Sequence, residues 1–346
     1  MEDAAQGWLP AVETFAKGTF ATAAALGTVG MGLLYYGQNY LIYPSAFPSG
    51  SRVEVAVPTD YNLDYDSLDL ETPDGVTLRC YLLVQHKDLG ANKVGATHID
   101  EDVDPDLSDE DFTASRPTVI MFHGNGGNHG HRIPLARVFY LKMRCNVLMM
   151  SYRGYGLSDG SPSEKGFVTD AQTALDYLTS DPLLSRTPII LYGQSIGGAV
   201  SIDLASKNPD KIAAMVLENT FMSMRSLVPH VMPLLGPVSF LCHQRWDSAS
   251  KIPLIPSSVP ILMLSGSRDE LVPPEHMRGL FELVVARKGD KGDNEKVKFA
   301  EFPNGTHNDT CAQPGYWNCV ADFIASLGDK PTEKAKKQAE AGASML

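Results

Sequence analysis

The chain has 346 residues, 43% of them apolar and 20% charged, enough to bury one sizeable mixed core. Its net charge of −12 argues against nucleic-acid binding, which needs a clustered basic surface. Eight acidic residues between Asp100 and Asp111 supply much of that charge, so it says little about a substrate.

The five cysteines (Cys80, Cys145, Cys242, Cys311, Cys319) form no CxxC pair and no metal-ligand spacing, so no metal is expected. Cys80 and Cys145 sit in apolar runs, where a thiol behaves as a small hydrophobe. Cys311 and Cys319 could pair if the domain faced an oxidising lumen.

No Asp, Glu, Lys or Arg occurs between Lys17 and Arg52, and Thr19 to Tyr36 is apolar or small throughout, extended by Leu41 to Tyr43. A spanning helix needs about 20 such residues. After a tail over residues 1–18, residues 19–43 are therefore expected to form an uncleaved transmembrane anchor. A cleaved signal peptide fits less well, because the n-region is acidic and the apolar run begins late. Tyr35, Tyr36, Tyr40 and Tyr43 are placed like an interfacial aromatic belt. The expected location is a single-pass protein of the endoplasmic reticulum or another secretory-pathway membrane. Lys17 and Arg52 alone bracket the span and leave its orientation open.

From Val53 a strand–helix alternation begins. Strands are expected at Val76–Val84, Thr118–Gly124, Asn146–Tyr152, Pro188–Tyr192, Ala213–Glu218, Pro260–Gly266 and Val297–Phe302. Helices are expected at Arg132–Met143, near Glu164–Leu178, from Ile196, near Glu275–Ala286 and near Gly315–Leu327. Short apolar strands alternating with helices indicate an α/β fold with a mostly parallel sheet covered on both faces. The domain is expected over residues 51–328. Lys87–Arg116, Gly- and acid-rich, reads as a disordered insertion, Arg287–Lys296 as a smaller one, and residues 329–346 as a charged tail.

The chemistry concentrates around Ser195. Gly193-Gln194-Ser195-Ile196-Gly197 fits G-x-S-x-G, directly follows the strand PIILY and opens a helix. A sharp strand–turn–helix elbow strains the serine and exposes its Oγ, while Gly193 and Gly197 let the chains approach. A serine hydroxyl needs a base to take its proton, and in this arrangement nucleophile, acid and base follow in chain order. Asp269, after the strand PILMLSG, is the expected acid, with the adjacent Glu270 as its rival. His307 in FPNGTHNDT is the expected base. His276 lies in a predicted helix, His230 and His243 precede the acid, His86 and His98 border the insertion, and His123 is better suited to shaping its loop. The oxyanion of a tetrahedral intermediate needs donors already aimed at it. The backbone N–H groups of Ile196 and of Asn125, in the loop His123–Asn128, are the expected pair.

NYLIYPSAFPSGSR, HGNGGN, SYRGYGLSDGSPSEKG, GQSIGGAV, ENTF, SGSRDELVPPEH and PNGTHNDT together resemble the fungal bud-emergence-related membrane hydrolases, the type of alpha/beta hydrolase domain-containing protein thirteen. The resemblance runs from about Asn39 to Leu327. It implies an α/β-hydrolase fold with a mostly parallel eight-stranded sheet, a single N-terminal anchor, and the triad Ser195, Asp269 and His307. A more distant similarity to membrane-associated acyl-protein thioesterases suggests, by analogy, lipid-linked esters.

The expected function is thus a membrane-anchored serine hydrolase cleaving a carboxylic ester or thioester through an acyl-enzyme, without a metal or organic cofactor. Its expected partners are a small-molecule, lipid or acyl-protein substrate and the membrane, and no nucleic acid. An acyltransferase on the same triad and a non-catalytic membrane scaffold are the alternatives. Thr220–Pro260, apolar and proline-punctuated, reads either as a small lid beside the nucleophile or as an ordinary packing helix. The N-x-T sequons at Asn304 and Asn308 flank His307, where a glycan would crowd the loop.

Overall fold

Strands whose every residue is apolar can only be accommodated in a sheet covered on both faces. That is the architecture of the computed structural model, which describes residues 9–89, 106–287 and 296–328. Eight strands, β1 (Asp66–Glu71), β2 (Thr77–Leu83), β3 (Thr118–Phe122), β4 (Asn146–Met150), β5 (Ile189–Gln194), β6 (Ala214–Glu218), β7 (Ile261–Gly266) and β8 (Val297–Phe302), pair in the order β1-β2-β4-β3-β5-β6-β7-β8. The pairs β1–β2 and β2–β4 are antiparallel, and all others are parallel. All residues of β3 to β7 are buried. β1, whose sequence DSLDLE is mostly exposed, lies at the sheet's edge and carried no apolar signal.

The nine helices of the described residues are α1 (Leu9–Ile42), α2 (Asp109–Ser115), α3 (Ile133–Lys142), α4 (Glu164–Ser180), α5 (Ile196–Lys207), α6 (Met224–Val231), α7 (Ser248–Lys251), α8 (Pro274–Val285) and α9 (Tyr316–Gly328). Side chains alternate across a strand, and the core divides accordingly. Ile120, Leu191 and Leu217 pack with Leu175 of α4, Val200 of α5 and Leu280 of α8 on one face. Val119, Ile190 and Val216 pack with Phe139 of α3 and Phe323 of α9 on the other. The chain reverses direction around β3, whose neighbours β4 and β5 lie on opposite sides. Clefts form at such a switch point, beyond the carboxyl ends of the strands.

Three expectations change. The acidic insertion is ordered in part: residues 90–105 lie outside the described residues, but α2 follows with Ser108 as its N-cap and Phe112 fully buried. Three acidic residues in the first turn of α2 sit where the helix dipole favours them, so part of the charge that read as disorder is helix-start chemistry. The smaller insertion falls largely outside the described residues, at 288–295, yet Arg287 is buried and donates to Pro256 O at 2.9 Å. Tyr43 belongs to no interfacial belt. It is buried, its hydroxyl donating to Gln244 Oε1 and accepting from Trp246 Nε1, both at 2.9 Å.

α1 begins at Leu9, ten residues before the expected anchor, and its portion Lys17–Ile42 is long and apolar enough to cross a bilayer. Phe20, Leu26, Leu33, Tyr36 and Tyr40 are exposed along it. Only its end docks. Gln38 donates to Leu241 O at 3.4 Å and accepts from His243 N–H at 2.8 Å, while the Tyr35 ring packs against His243. Residues 1–8 and the tail 329–346 lie outside the described residues. Cys311 and Cys319 are both free thiols.

Candidate active site

β5 ends at Gln194 and α5 begins at Ile196, so Ser195 alone makes the turn, with φ 55° and ψ −120°. Such a backbone costs a non-glycine residue on the order of 1–3 kcal/mol and persists only where its surroundings enforce it. Here they do. Ser195 N–H donates to Glu218 O at 2.9 Å, and Ser195 O accepts from Thr220 Oγ1 at 2.7 Å. A Cβ on Gly193 would collide with Gly197 O, and one on Gly197 with Phe122 O. The glycines are required by close approach of β3, the elbow and α5.

Ser195, Asp269 and His307 come together although β6, β7 and β8 lie between them in sequence. His307 Nε2 is 3.0 Å from Ser195 Oγ, and its Nδ1 is 2.8 Å from Asp269 Oδ2. All three are buried. With the Nδ1 proton directed at the carboxylate, Nε2 is free to accept the serine proton. The other Asp269 oxygen accepts the Leu271 and Val272 amides at 2.9 and 2.7 Å, which fixes the carboxylate in place. Glu270 takes a different part: its carboxylate accepts the backbone N–H of His307 at 3.2 Å. The two acids thus hold the same histidine, one by its ring and one by its backbone.

Asn219, directly after β6, was not singled out from the sequence. At φ 45° it donates through Nδ2 to Thr306 O, His307 O and Thr310 Oγ1 at 3.0–3.3 Å, and its Oδ1 accepts from Gly266 N–H at 2.8 Å. One side chain therefore ties the ends of β6 and β7 to the His307 loop. Glu218 beside it is fully buried and accepts the hydroxyls of Tyr192 and Tyr316, each at 2.6 Å. Burial pushes its carboxyl above the ordinary range, against the lowering effect of those two hydroxyls. Position at the carboxyl edge of the sheet was the available signal for both residues.

The loop His123–Asn128 faces the elbow. His123 is buried, packs on Tyr152 and Tyr155, and has Nδ1 2.7 Å from Gly124 O. Burial lowers its pKa to about 3, so it stays neutral. Asn125 and Ile196 both border the cleft over Ser195. Ile196 N–H is the first amide of α5 and has no acceptor within the helix. The Asn125 side chain bridges outward, accepting from Tyr155 OH at 2.7 Å and donating to Ile42 O at the end of α1. Gly127 N–H donates to Phe47 O at 2.8 Å. The loop is thereby fastened to the segment that leaves α1.

The cleft encloses about 620 Å³, within the size range of small-molecule sites. Ser195 and His307 line it with Asn125 and Ile196, and most of its remaining lining is apolar, including Leu41, Ile42, Phe221, Leu227, Val228 and Met232, with His131 and Arg132 also bordering it. α6 lines one side of it through Met224, Leu227, Val228 and Val231, and α6 together with the 3-10 turns Pro233–Leu241 that follow is termed the lid. Its helix α6 packs Met224 and Leu227 into the core, whereas no residue of Pro233–Leu241 is buried.

A family model described as alpha/beta hydrolase fold matches residues 117–238. Protein bem46 of Schizosaccharomyces pombe is 45% identical over 302 residues, covering 87% of this chain and 90% of that protein. The chain belongs to the α/β-hydrolase family of bem46. Another relative in this family, the membrane protein YNL320W of Saccharomyces cerevisiae, is 37% identical over 304 residues, covering 88% of this chain and 94% of that one. The fold also superposes on an esterase of Pyrococcus furiosus, Pf2001, with a TM-score of 0.59 at 19% identity, covering 80% of this chain and 96% of that structure. The α/β-hydrolase family resemblance and the eight-stranded sheet are borne out together.

Proposed function

We propose that this chain is a membrane-anchored serine hydrolase that cleaves a carboxylic ester or thioester through an acyl-enzyme on Ser195. The observation that carries the reading is the unbroken hydrogen-bonded chain Ser195–His307–Asp269 bordering a largely apolar cleft. Ser195 Oγ attacks the acyl carbonyl carbon as its proton passes to His307 Nε2, and Asp269 stabilises the resulting imidazolium. The oxyanion is held by the backbone N–H groups of Asn125 and Ile196, a contribution of roughly 3–4 kcal/mol for one such donor. The carbon–leaving-group bond then breaks, the leaving group taking the proton from His307. Water, deprotonated by His307, hydrolyses the acyl-enzyme and restores the serine.

α1 serves as the single-pass anchor, residues 51–328 as the catalytic domain, and the membrane is that of the endoplasmic reticulum or another secretory-pathway compartment. A cytosolic domain fits best, because Asn304 and Asn308 are exposed beside His307 and a glycan on either would obstruct the cleft. A glycosidase-induced mobility shift of the expressed protein would place the domain in the lumen instead.

Labelling with a fluorophosphonate probe tests the chemistry. Wild type should label, and Ser195→Ala should not. Folded wild type that stays unlabelled sinks the enzyme reading, and equal labelling of both proteins rejects Ser195 as the nucleophile.

A further inference from the structure

The end of α1 does more than tether the domain. Leu34, Gln38, Leu41 and Ile42 fall at i, i+4, i+7 and i+8, one face of the helix, and line a second, smaller cavity of about 60 Å³. Its opposite wall is the lid, through Val228, Met232, Leu235, Val238 and Leu241. Leu41, Ile42, Val228 and Met232 border both this cavity and the cleft over Ser195, so the two spaces adjoin across the same four side chains. From Ile42 to Leu34 the shared face climbs roughly 12 Å along the helix axis, away from the sheet and toward the exposed apolar part of α1.

Among the described residues, no charged one lines this second space. Gln38, its amide-bearing member, has that amide engaged: Nε2 donates to Tyr35 O at 2.9 Å and Oε1 accepts from His243 N–H at 2.8 Å. It offers the passage only its aliphatic stem. Within the lid Leu234 is 95% and Phe240 64% exposed, and α1 on the N-terminal side of Leu34 also exposes apolar side chains, among them Phe20, Leu26 and Leu33. Water gains nothing from such a surface, whereas hydrocarbon does.

Resting on the serine-hydrolase reading above, we infer that the substrate is a long-chain fatty acyl ester resident in the bilayer. Its acyl chain enters from the membrane between α1 and the lid, with the anchor forming one wall of the acyl site. The carbonyl reaches Ser195 while the chain lies past Met232 and Leu41 toward Leu34. Met232, unbranched and flexible, is suited to move aside where the two spaces meet. The anchor is then a specificity element, because removing it removes half of the passage. Ester bond breaking follows the acyl-enzyme route above and needs no further reactant.

The test uses the full chain in phosphatidylcholine vesicles and umbelliferyl esters with acyl chains of four to sixteen carbons. For wild type, kcat/KM should rise roughly two- to fourfold per added methylene until the passage is filled. Leu41→Trp, from the anchor side, and Leu235→Trp, from the lid side, should each lower the ratio of sixteen-carbon to four-carbon turnover by about tenfold or more. Fluorophosphonate labelling of the same samples separates two kinds of failure. Labelled wild type with a flat chain-length profile, or an unchanged ratio in both labelled tryptophan variants, overturns the acyl passage alone. Folded wild type that neither labels nor turns over any ester overturns the nucleophile assignment and the passage with it.

Discussion

The two sides of the cleft over Ser195 are built by different physics. The sheet side is polar, buried and held by hydrogen bonds: Asn219, Glu218, Asp269 and His307 all have their partners inside the protein. The side formed by α1 and the lid is apolar and only partly buried, with Leu41, Val231 and Leu234 exposed and Val228 and Met232 half-buried. Directed bonds hold atoms to a few tenths of an ångström, which proton transfer requires. Apolar packing is non-directional and accepts chains of varying shape. The contrast separates a floor suited to chemistry from walls suited to selection.

Among the residues that hold His307, Asp269→Asn should break the floor most severely. It should reduce kcat on a short soluble ester by about 10⁴-fold with folding retained. Glu270→Gln, which alters only a contact to the His307 backbone, should cost less than about tenfold. Similar losses in the two variants would mean that the acids share the role. Asn219→Ala releases the His307 loop without touching the reacting atoms, and a displacement of about 1 Å there should lower kcat roughly 10²-fold. An unchanged kcat would show that Glu270 and the backbone suffice.

Acid should weaken the buried side next. Burial lowers the pKa of both His123 and His129 to about 3, so both are neutral when folded. Below pH 6.5 the unfolded chain takes up protons at these positions that the folded chain refuses, and stability must fall as pH falls. Each histidine contributes a loss of about 2 kcal/mol between pH 7 and 5. Urea unfolding at the two pH values should show a net drop, partly offset because burial raises the carboxyls of Asp170 and Glu218 and these work the other way, and His129→Gln should shrink it by about 2 kcal/mol. A variant with the same drop as wild type would rule out His129 as its source. The smallest effect belongs to the lid. Leu234→Gln replaces a side chain that touches little of the protein and should change stability in detergent by less than about 0.5 kcal/mol. A larger cost would mean that something covers Leu234.

The site is legible in the sequence where a residue's neighbours in the chain are also its neighbours in space. The elbow is local: Gly193, Ser195 and Gly197 lie within five residues, and the preceding strand is apolar. Asp269 and His307 were accessible through chain order, because each follows a strand whose carboxyl end must reach the same edge. Asn219 was legible only as part of ENTF, since nothing in its neighbourhood announces that it reaches Thr306 and His307 across two strands. The same limit explains α2 and β1, whose acidic sequences conceal a capped helix and an edge strand.

The sequence alone determined the alternation of strands and helices, the apolar helix at the start, and the serine that must sit on a strained turn. These follow from periodicity and backbone sterics, which act over a few residues. Only the tertiary structure decided that Asp269 takes the ring of His307 and Glu270 its backbone, for the two acids are adjacent and differ in nothing but direction. Only it turned Tyr43 inward and brought Ile42 to the Asn125 side chain, so that the end of the apolar helix borders the cleft. Contacts between residues 37 to 201 positions apart depend on how the sheet folds the chain back on itself, and no local pattern encodes them.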